Sequence, residues 1–479
     1  MRVGTGSRKR LDHRTLQGMV RMARLVPPAR RMEPISEPPP DHPPIAPPMT
    51  PQTPPSDRRG APRPYRSRTS GPTERLRSRA RELGPGLITG AADDDPSGIA
   101  TYSQAGAAFG YGTLWVALIT LPLMASVQLM CARIGIVARS GLATVLREHY
   151  PRWLLWLACG MLLFGNTVNI AADLAGMAAA ASLLTGIRSI WFVPASAILI
   201  LGLLVFASYE RMTRVLKWLT LALFSYVLAG FLAHPDWSAV VSGTLIPQVA
   251  WSRDYLLTFV AILGTTISPY LFFFDSSGAI EDEWNEGYVG VNRIIAAGGM
   301  TFGSVISISV LILAAMIFAP QGVKFEHYSQ LPQLLVPVFG YWGYWLIVAS
   351  VGVACLGAAM EITLELAYLT AQGFGWNWSE NQRPLDEARF SAAYMLAIVI
   401  GTLPILIGID PLTLTIFGMA LTAATLPVSI VPFLFLMNDY SYVRVYRNGW
   451  FSNAVVLVII GIAFVLALVS IPLQIFGGS

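Results

Sequence analysis

The chain has 479 residues, of which 54% are hydrophobic and 13% charged, with a formal net charge of +5 and a mean hydropathy of +0.54. Soluble domains carry about 25% charged residues, so this composition excludes an ordinary water-soluble enzyme or binding module and points to a polytopic membrane protein. The charge is divided: residues 1–83 hold 18 basic and 7 acidic side chains, and the remainder holds 15 and 21.

Residues 1–82 are rich in Pro, Arg and Ser and poor in large apolar side chains. Such a segment cannot bury enough surface to fold and reads as a disordered tail. It has no apolar stretch of the kind a secretory signal needs. Its arginines suit a solvated cytoplasmic tail beside anionic lipid, and no nucleic-acid partner is expected. Met19, Met22 and Met32 leave open a later translation start. The three cysteines, Cys131, Cys159 and Cys355, lie in apolar runs without CxxC spacing. They read as buried free thiols rather than a disulfide framework or a thiolate metal site.

A membrane-spanning helix needs about 20 apolar residues. Eleven segments qualify, at roughly 84–108, 112–132, 153–186, 189–207, 213–232, 255–274, 293–319, 341–372, 389–407, 411–437 and 452–475. Trp153, Trp156, Trp376, Trp378 and Trp450 bracket several of them, as interfacial aromatics do. With the N-terminus in the cytoplasm, twelve basic residues near the span ends fall inside and three, Arg188, Arg253 and Lys324, fall outside. This positive-inside bias supports an odd number of spans, a C-terminus outside and residence in the plasma (inner) membrane. The transport domain is expected to cover residues 83–479.

The first span contains GAADDDPSGIA, residues 90–100. Asp95 lies about 12 residues in, which at about 1.5 Å per residue places it near the bilayer midplane. Pro96 removes an N–H and disfavours helix at Asp95, so the span should break at the aspartates. The sixth span repeats the pattern in AILGTTISPYLFFF, where Gly264, Ser268 and Pro269 interrupt it. Paired interruptions at matching places in two halves mark an inverted-repeat transporter with a midplane site, where carboxylates and unwound carbonyls coordinate cations. Asp93, Asp94 and Asp95 at that depth are costly and functional by default.

At these residues the sequence resembles the NRAMP family of divalent metal transporters. GPGLITGAADDDPSG is similar to that family's first-helix segment ending in Asp-Pro-Gly-Asn, and GTTISPYLFFFDSS to its sixth-helix segment around Met-Pro-His. ADLAGMAAA, residues 172–180, is similar to its third-helix Asp-Leu-Ala-Glu stretch. The resemblance covers about residues 83–475. It implies an all-α, LeuT-type fold: two inverted five-helix repeats plus an eleventh helix, with helices 1 and 6 broken.

The departures from the family pattern are informative. Asp95 matches the metal-binding aspartate and Asp173 the third-helix aspartate. Gly98 stands at the asparagine ligand, Ser268 at the methionine sulfur, Tyr270 at the histidine, Gly176 at the proton-linked glutamate and Met419 at a tenth-helix glutamine. These changes resemble the NRAMP-related magnesium transporter branch. The remaining donors are oxygens: the Asp95 carboxylate, Asp94, the Ser268 hydroxyl and freed carbonyls near Ala92 and Thr265. Oxygen donors suit hard cations such as Mg²⁺ and Mn²⁺. The metal ion is the transported substrate, and no cofactor is expected.

Asp93, Gly98, Asp173, Tyr270, Glu361 and Glu365 are expected along the ion pathway. Glu361 and Glu365 are four apart and share a helix face, which suits an inner vestibule or interhelical pairing. Asn166, Asn169 and Asp173 share another, and for the asparagines interhelical hydrogen bonding is the simpler reading. The acidic run Asp275, Glu281, Asp282, Glu283 and Glu286 could draw cations to the inner mouth, but a charge run at a helix exit is more often simply solvated, and that is the reading favoured here. Two other functions fit parts of the chain: a cation-coupled transporter of a small organic solute in the same fold, and an intramembrane hydrolase with Asp95 and Asp173 as its carboxylates. No GxSxG or HExxH motif supports the second.

Overall fold

Inside a bilayer every backbone N–H and C=O must be paired within the chain, so long apolar runs become helices. The computed structural model describes residues 96–476 apart from 207–221, 282–283, 285–288, 380–383 and 444–445, and these are mostly helical. The expected tail, residues 1–82, lies outside the described residues, as do Ala92, Asp93, Asp94 and Asp95.

In chain order the helices are α1 (Pro96–Phe109), α2 (Leu114–Ala138), α3 (Leu142–His149), α4 (Arg152–Thr185), α5 (Phe192–Phe206), α6 (Phe224–Leu232) and α7 (Trp237–Leu245). They continue as α8 (Arg253–Thr266), α9 (Pro269–Glu281), α10 (Val289–Ile317), α11 (Pro332–Phe339), α12 (Tyr341–Phe374), α13 (Ala388–Leu406), α14 (Pro411–Leu436) and α15 (Trp450–Phe476). The eleven expected segments each carry helix, and the sixth is divided between α8 and α9. The described part of the first begins at Pro96.

The two halves repeat one another. The eight-residue α3 precedes the 34-residue α4, and the eight-residue α11 precedes the 34-residue α12. Each long helix stops at a left-handed glycine, Gly186 at φ 72° and Gly375 at φ 74°. α4 and α12 pack against each other, and three places fix their direction. Asn166 meets Glu365, a methyl on Gly352 would approach the Ala180 Cβ, and one on Gly373 would approach the Cys159 sulfur. Numbers fall on one helix as they rise on the other, so the pair is antiparallel. Small residues permit that close approach.

This pair forms one wall around α1. α1 also packs against α8, α10 and α14, so the helix that follows the aspartates is enclosed by helices from both halves. All three cysteines are buried and free.

Gly186 lies in open space, so a side chain there would be strained without clashing. Gly186→Ala should lower stability by about 1 kcal/mol, the cost of left-handed backbone for a residue with a Cβ. The measurement is the Tm of the purified protein in detergent. An unchanged Tm would show that the end of α4 relaxes freely.

Candidate metal-binding site

The sixth span breaks at residues 267–268. Ile267 leaves helical geometry at φ −105°, ψ 75°, and α9 restarts at Pro269. Proline supplies no N–H to the carbonyl four residues back, that of Thr265, and it disfavours helix at Ser268. The Ser268 hydroxyl covers the loss, donating toward the carbonyls of Gly264 at 3.1 Å and Thr265 at 3.2 Å. Ser268, Thr265 and Tyr270, the last in the first turn of α9, are all buried. Two of the expected oxygen donors therefore touch each other. A cation taking the Thr265 carbonyl would compete with the serine proton, while the serine's lone pairs stay available to it.

Two contacts hold the break in place. Gly264 lies so close to α14 that a Cβ would run into the Met419 backbone carbonyl. Only glycine fits such an approach without displacing backbone. From the other side, the Tyr102 and Thr266 hydroxyls bond at 2.7 Å, joining α1 to the end of α8. Thr266 also donates to the Ile262 carbonyl at 2.9 Å. Met419, read in the sequence as the replacement of a polar residue, thus contributes its backbone to the seat of the break.

Gly98 is buried in the first turn of α1. Asp95 immediately precedes Pro96, the first described residue of α1.

A polar seam runs between α4, α12 and α14. Asn166 on α4 donates to Glu365 on α12, and Asn169 donates to the Thr422 hydroxyl on α14 at 3.2 Å. Asp173, one turn past Asn169, is buried, as are Glu361 and Glu365. The two expected polar faces, one on each helix, meet. Both asparagines make the interhelical bonds expected of them. The second oxygen of Glu365 has no hydrogen-bond partner. Among the described residues no three His, Cys, Asp or Glu side chains converge, so a cation here would depend on carbonyls, hydroxyls and isolated carboxylates.

Asp275 on α9, which the sequence reading treated as part of a solvated acidic run, is engaged instead: Gln128 on α2 donates to its carboxylate. Its spacing was the available signal. Asp275 lies seven residues, two turns, beyond Ser268 on the same helix face.

With this geometry in hand, comparison with known proteins is specific. The profile of the natural resistance-associated macrophage protein-like family matches residues 86–472, and the chain belongs to that family. It is 23% identical over 393 residues to the divalent metal cation transporter MntH of Caldanaerobacter subterraneus subsp. tengcongensis, covering 78% of this chain and 88% of that one. The crystal structure of the Eremococcus coleocola manganese transporter superposes with a TM-score of 0.71 at 19% identity, covering 85% and 89% of the two chains. MhsT, solved with L-phenylalanine, has the more distant value of 0.51 at 14% identity, covering 81% and 97%. The expected LeuT-type architecture is the fold of this protein.

The Asn166–Glu365 pair generates a thermodynamic test. Asn166→Leu removes the amide donor from a fully buried carboxyl group, which should cost about 2–3 kcal/mol. Replacing both partners with Leu should recover much of that loss, because no polar group is then left unpaired. The check is the order of Tm values for wild type, Asn166→Leu and the double variant. Equal Tm values for wild type and Asn166→Leu would remove the seam from the account of stability.

Proposed function

We propose that this protein carries divalent metal cations, Mg²⁺ and/or Mn²⁺, inward across the plasma membrane by alternating access between the two broken helices. It is a transporter and not an enzyme. The observation that carries the choice of ion is the donor set at the second break. A serine hydroxyl and two backbone carbonyls stand where a thioether would favour softer metals. Asp95 supplies the anionic ligand from the first break, with Asp94 and the Ala92 carbonyl beside it. Asp93, Gly98, Asp173, Tyr270, Glu361 and Glu365 line the route. The N-terminus is cytoplasmic and the C-terminus outside, in line with the basic residues of the connections.

The solute reading in the same fold would set a substrate carboxylate against the N-terminus of the broken first helix. Three consecutive aspartates oppose such an anion. The MntH and manganese-transporter relatives named above carry metals in their names, which also supports the cation reading.

Transport needs no obligatory proton partner. Gly176 and Tyr270 occupy the positions where a glutamate and a histidine would titrate, and neither substitutes as a carrier near neutral pH. Asp173 stays as a buried carboxyl in the third span.

Uptake into proteoliposomes tests both statements together. Asp95→Ala should abolish Mn²⁺ and Mg²⁺ uptake in a correctly folded, inserted protein, with milder losses for Asp93→Ala and Asp94→Ala. Wild-type uptake by Asp95→Ala would overturn the site. A pH-sensitive dye trapped in the wild-type vesicles should report no metal-driven acidification. Acidification that tracks metal entry would overturn the uncoupled reading.

Residue 268 has its own test. Ser268→Met should strengthen competition by Cd²⁺ about tenfold, equivalent to about 1.4 kcal/mol, and weaken Mg²⁺ transport by removing room for its waters. An unchanged Cd²⁺/Mg²⁺ preference would mean that the ion never touches this side chain.

A further inference from the structure

Asp275 and Gln128 are another place, among the described residues, where an acidic group and an unsatisfied oxygen meet inside the bundle. Gln128 is 2% exposed. Its Nε2 donates to an Asp275 carboxylate oxygen, but its Oε1 is buried without a hydrogen-bond partner. A buried amide oxygen left unpaired costs about 1–3 kcal/mol. Native interiors keep such groups seldom, and each one calls for a ligand, an ion or a functional reason.

The surroundings narrow the reason. α9 packs against α2, α3, α4, α12 and α14, so its sides face protein and not lipid. The neighbouring hydroxyls on α9 are committed: Ser276 accepts from the Leu142 N–H, and Ser277 accepts from Gln372 on α12. Asp275 is different. It is only partly buried, and Gly278, three residues on along the same face, has nothing within 4 Å of where a Cβ would stand. Asp275 therefore keeps some exposure on the face where Gly278 leaves open space. It lies about 10 Å along α9 from the break, at about 1.5 Å per residue.

We propose that Asp275 and Gln128 form a second, oxygen-donor site for a divalent cation, two helical turns beyond the break at Ser268. The proposal rests on the reading of the chain as a divalent-cation transporter. In the empty state the glutamine amide occupies the carboxylate through its N–H. When a cation arrives, the amide turns over about its terminal torsion, which is broad and nearly two-fold. Oε1 then faces the ion together with the carboxylate, and the unpaired oxygen gains its partner. Mg²⁺ and Mn²⁺ accept this kind of site, with one carboxylate, one amide oxygen and retained waters. The amide N–H meanwhile keeps an unloaded carboxylate from standing alone in the bundle. The site is a resting place for an ion that has left the break.

Mn²⁺ binding to the full-length protein in detergent, counted by electron paramagnetic resonance of the free ion, tests this. At saturating Mn²⁺, Asp275→Asn should bind one ion per chain fewer than wild type. It keeps an acceptor for the Gln128 amide, so its Tm should stay near that of wild type. Asp95→Ala should lose a different ion, and the double variant should lose both. Gln128→Glu adds a carboxylate and should tighten one site about tenfold. This variant stands as an independent readout if Asp275→Asn folds poorly. The proposal is overturned if Asp275→Asn binds as many ions as wild type, if Gln128→Glu leaves every affinity unchanged, or if Asp95→Ala alone removes all binding. Loss of transport in Asp95→Ala tests the break, and ion counts in Asp275→Asn test the second site, so the two readings fail separately.

Discussion

The structure depends on one requirement: a helix interrupted at the middle of a bilayer must have its freed backbone groups covered by something other than water. At the second break the covering is local and economical. Ser268 turns its hydroxyl back onto the carbonyls that Pro269 leaves without a partner. The rest is tertiary. Gly264 lets α14 close against the break at Met419, and Tyr102 ties it to α1 through Thr266. Held by its own serine and by two neighbouring helices, the break is a fixed arrangement of dipoles rather than a flexible loop.

The same requirement explains the polar seam beside it. Asn166, Glu365, Asn169 and Thr422 are paired across three helices. Isolated side chains of this kind would be costly in hydrocarbon, and paired they fix the register of α4 against α12. These two helices are also the matching 34-residue members of the two repeats. The line where the halves meet therefore carries the polar groups, and the lipid-facing helices do not need them. α5, for instance, exposes Ile198, Leu199 and Phe206.

Carboxylates in this chain are used in two ways. Glu365 is fully buried and held by a single amide, whereas Asp275 is partly buried and accepts from the Gln128 amide on α2. The first arrangement favours a fixed partner. The second stands on the face where Gly278 leaves open space. The difference in access, more than the residue type, separates a packing group from a group that can exchange ligands.

Much of this was legible in the sequence, because the bilayer makes local pattern decisive. Apolar run length located the spanning segments, and Pro269 after Ser268 set the second break, since proline cannot complete the helical ladder. The repeat was visible in the paired interruptions. What the sequence could not decide was which polar faces meet. Asn166 and Glu365 are 199 residues apart, and Gln128 and Asp275 are 147 apart. No periodicity along one helix says which neighbour it will face. Asp275 looked like the start of a solvated exit because its charge continues into an acidic run, and only the packing of α2 against α9 turned it into an interior group. Helix spacing orders side chains on a single face. The choice of opposing face is made by the packing of the whole bundle, where small residues such as Gly264 and Gly352 let particular helices approach.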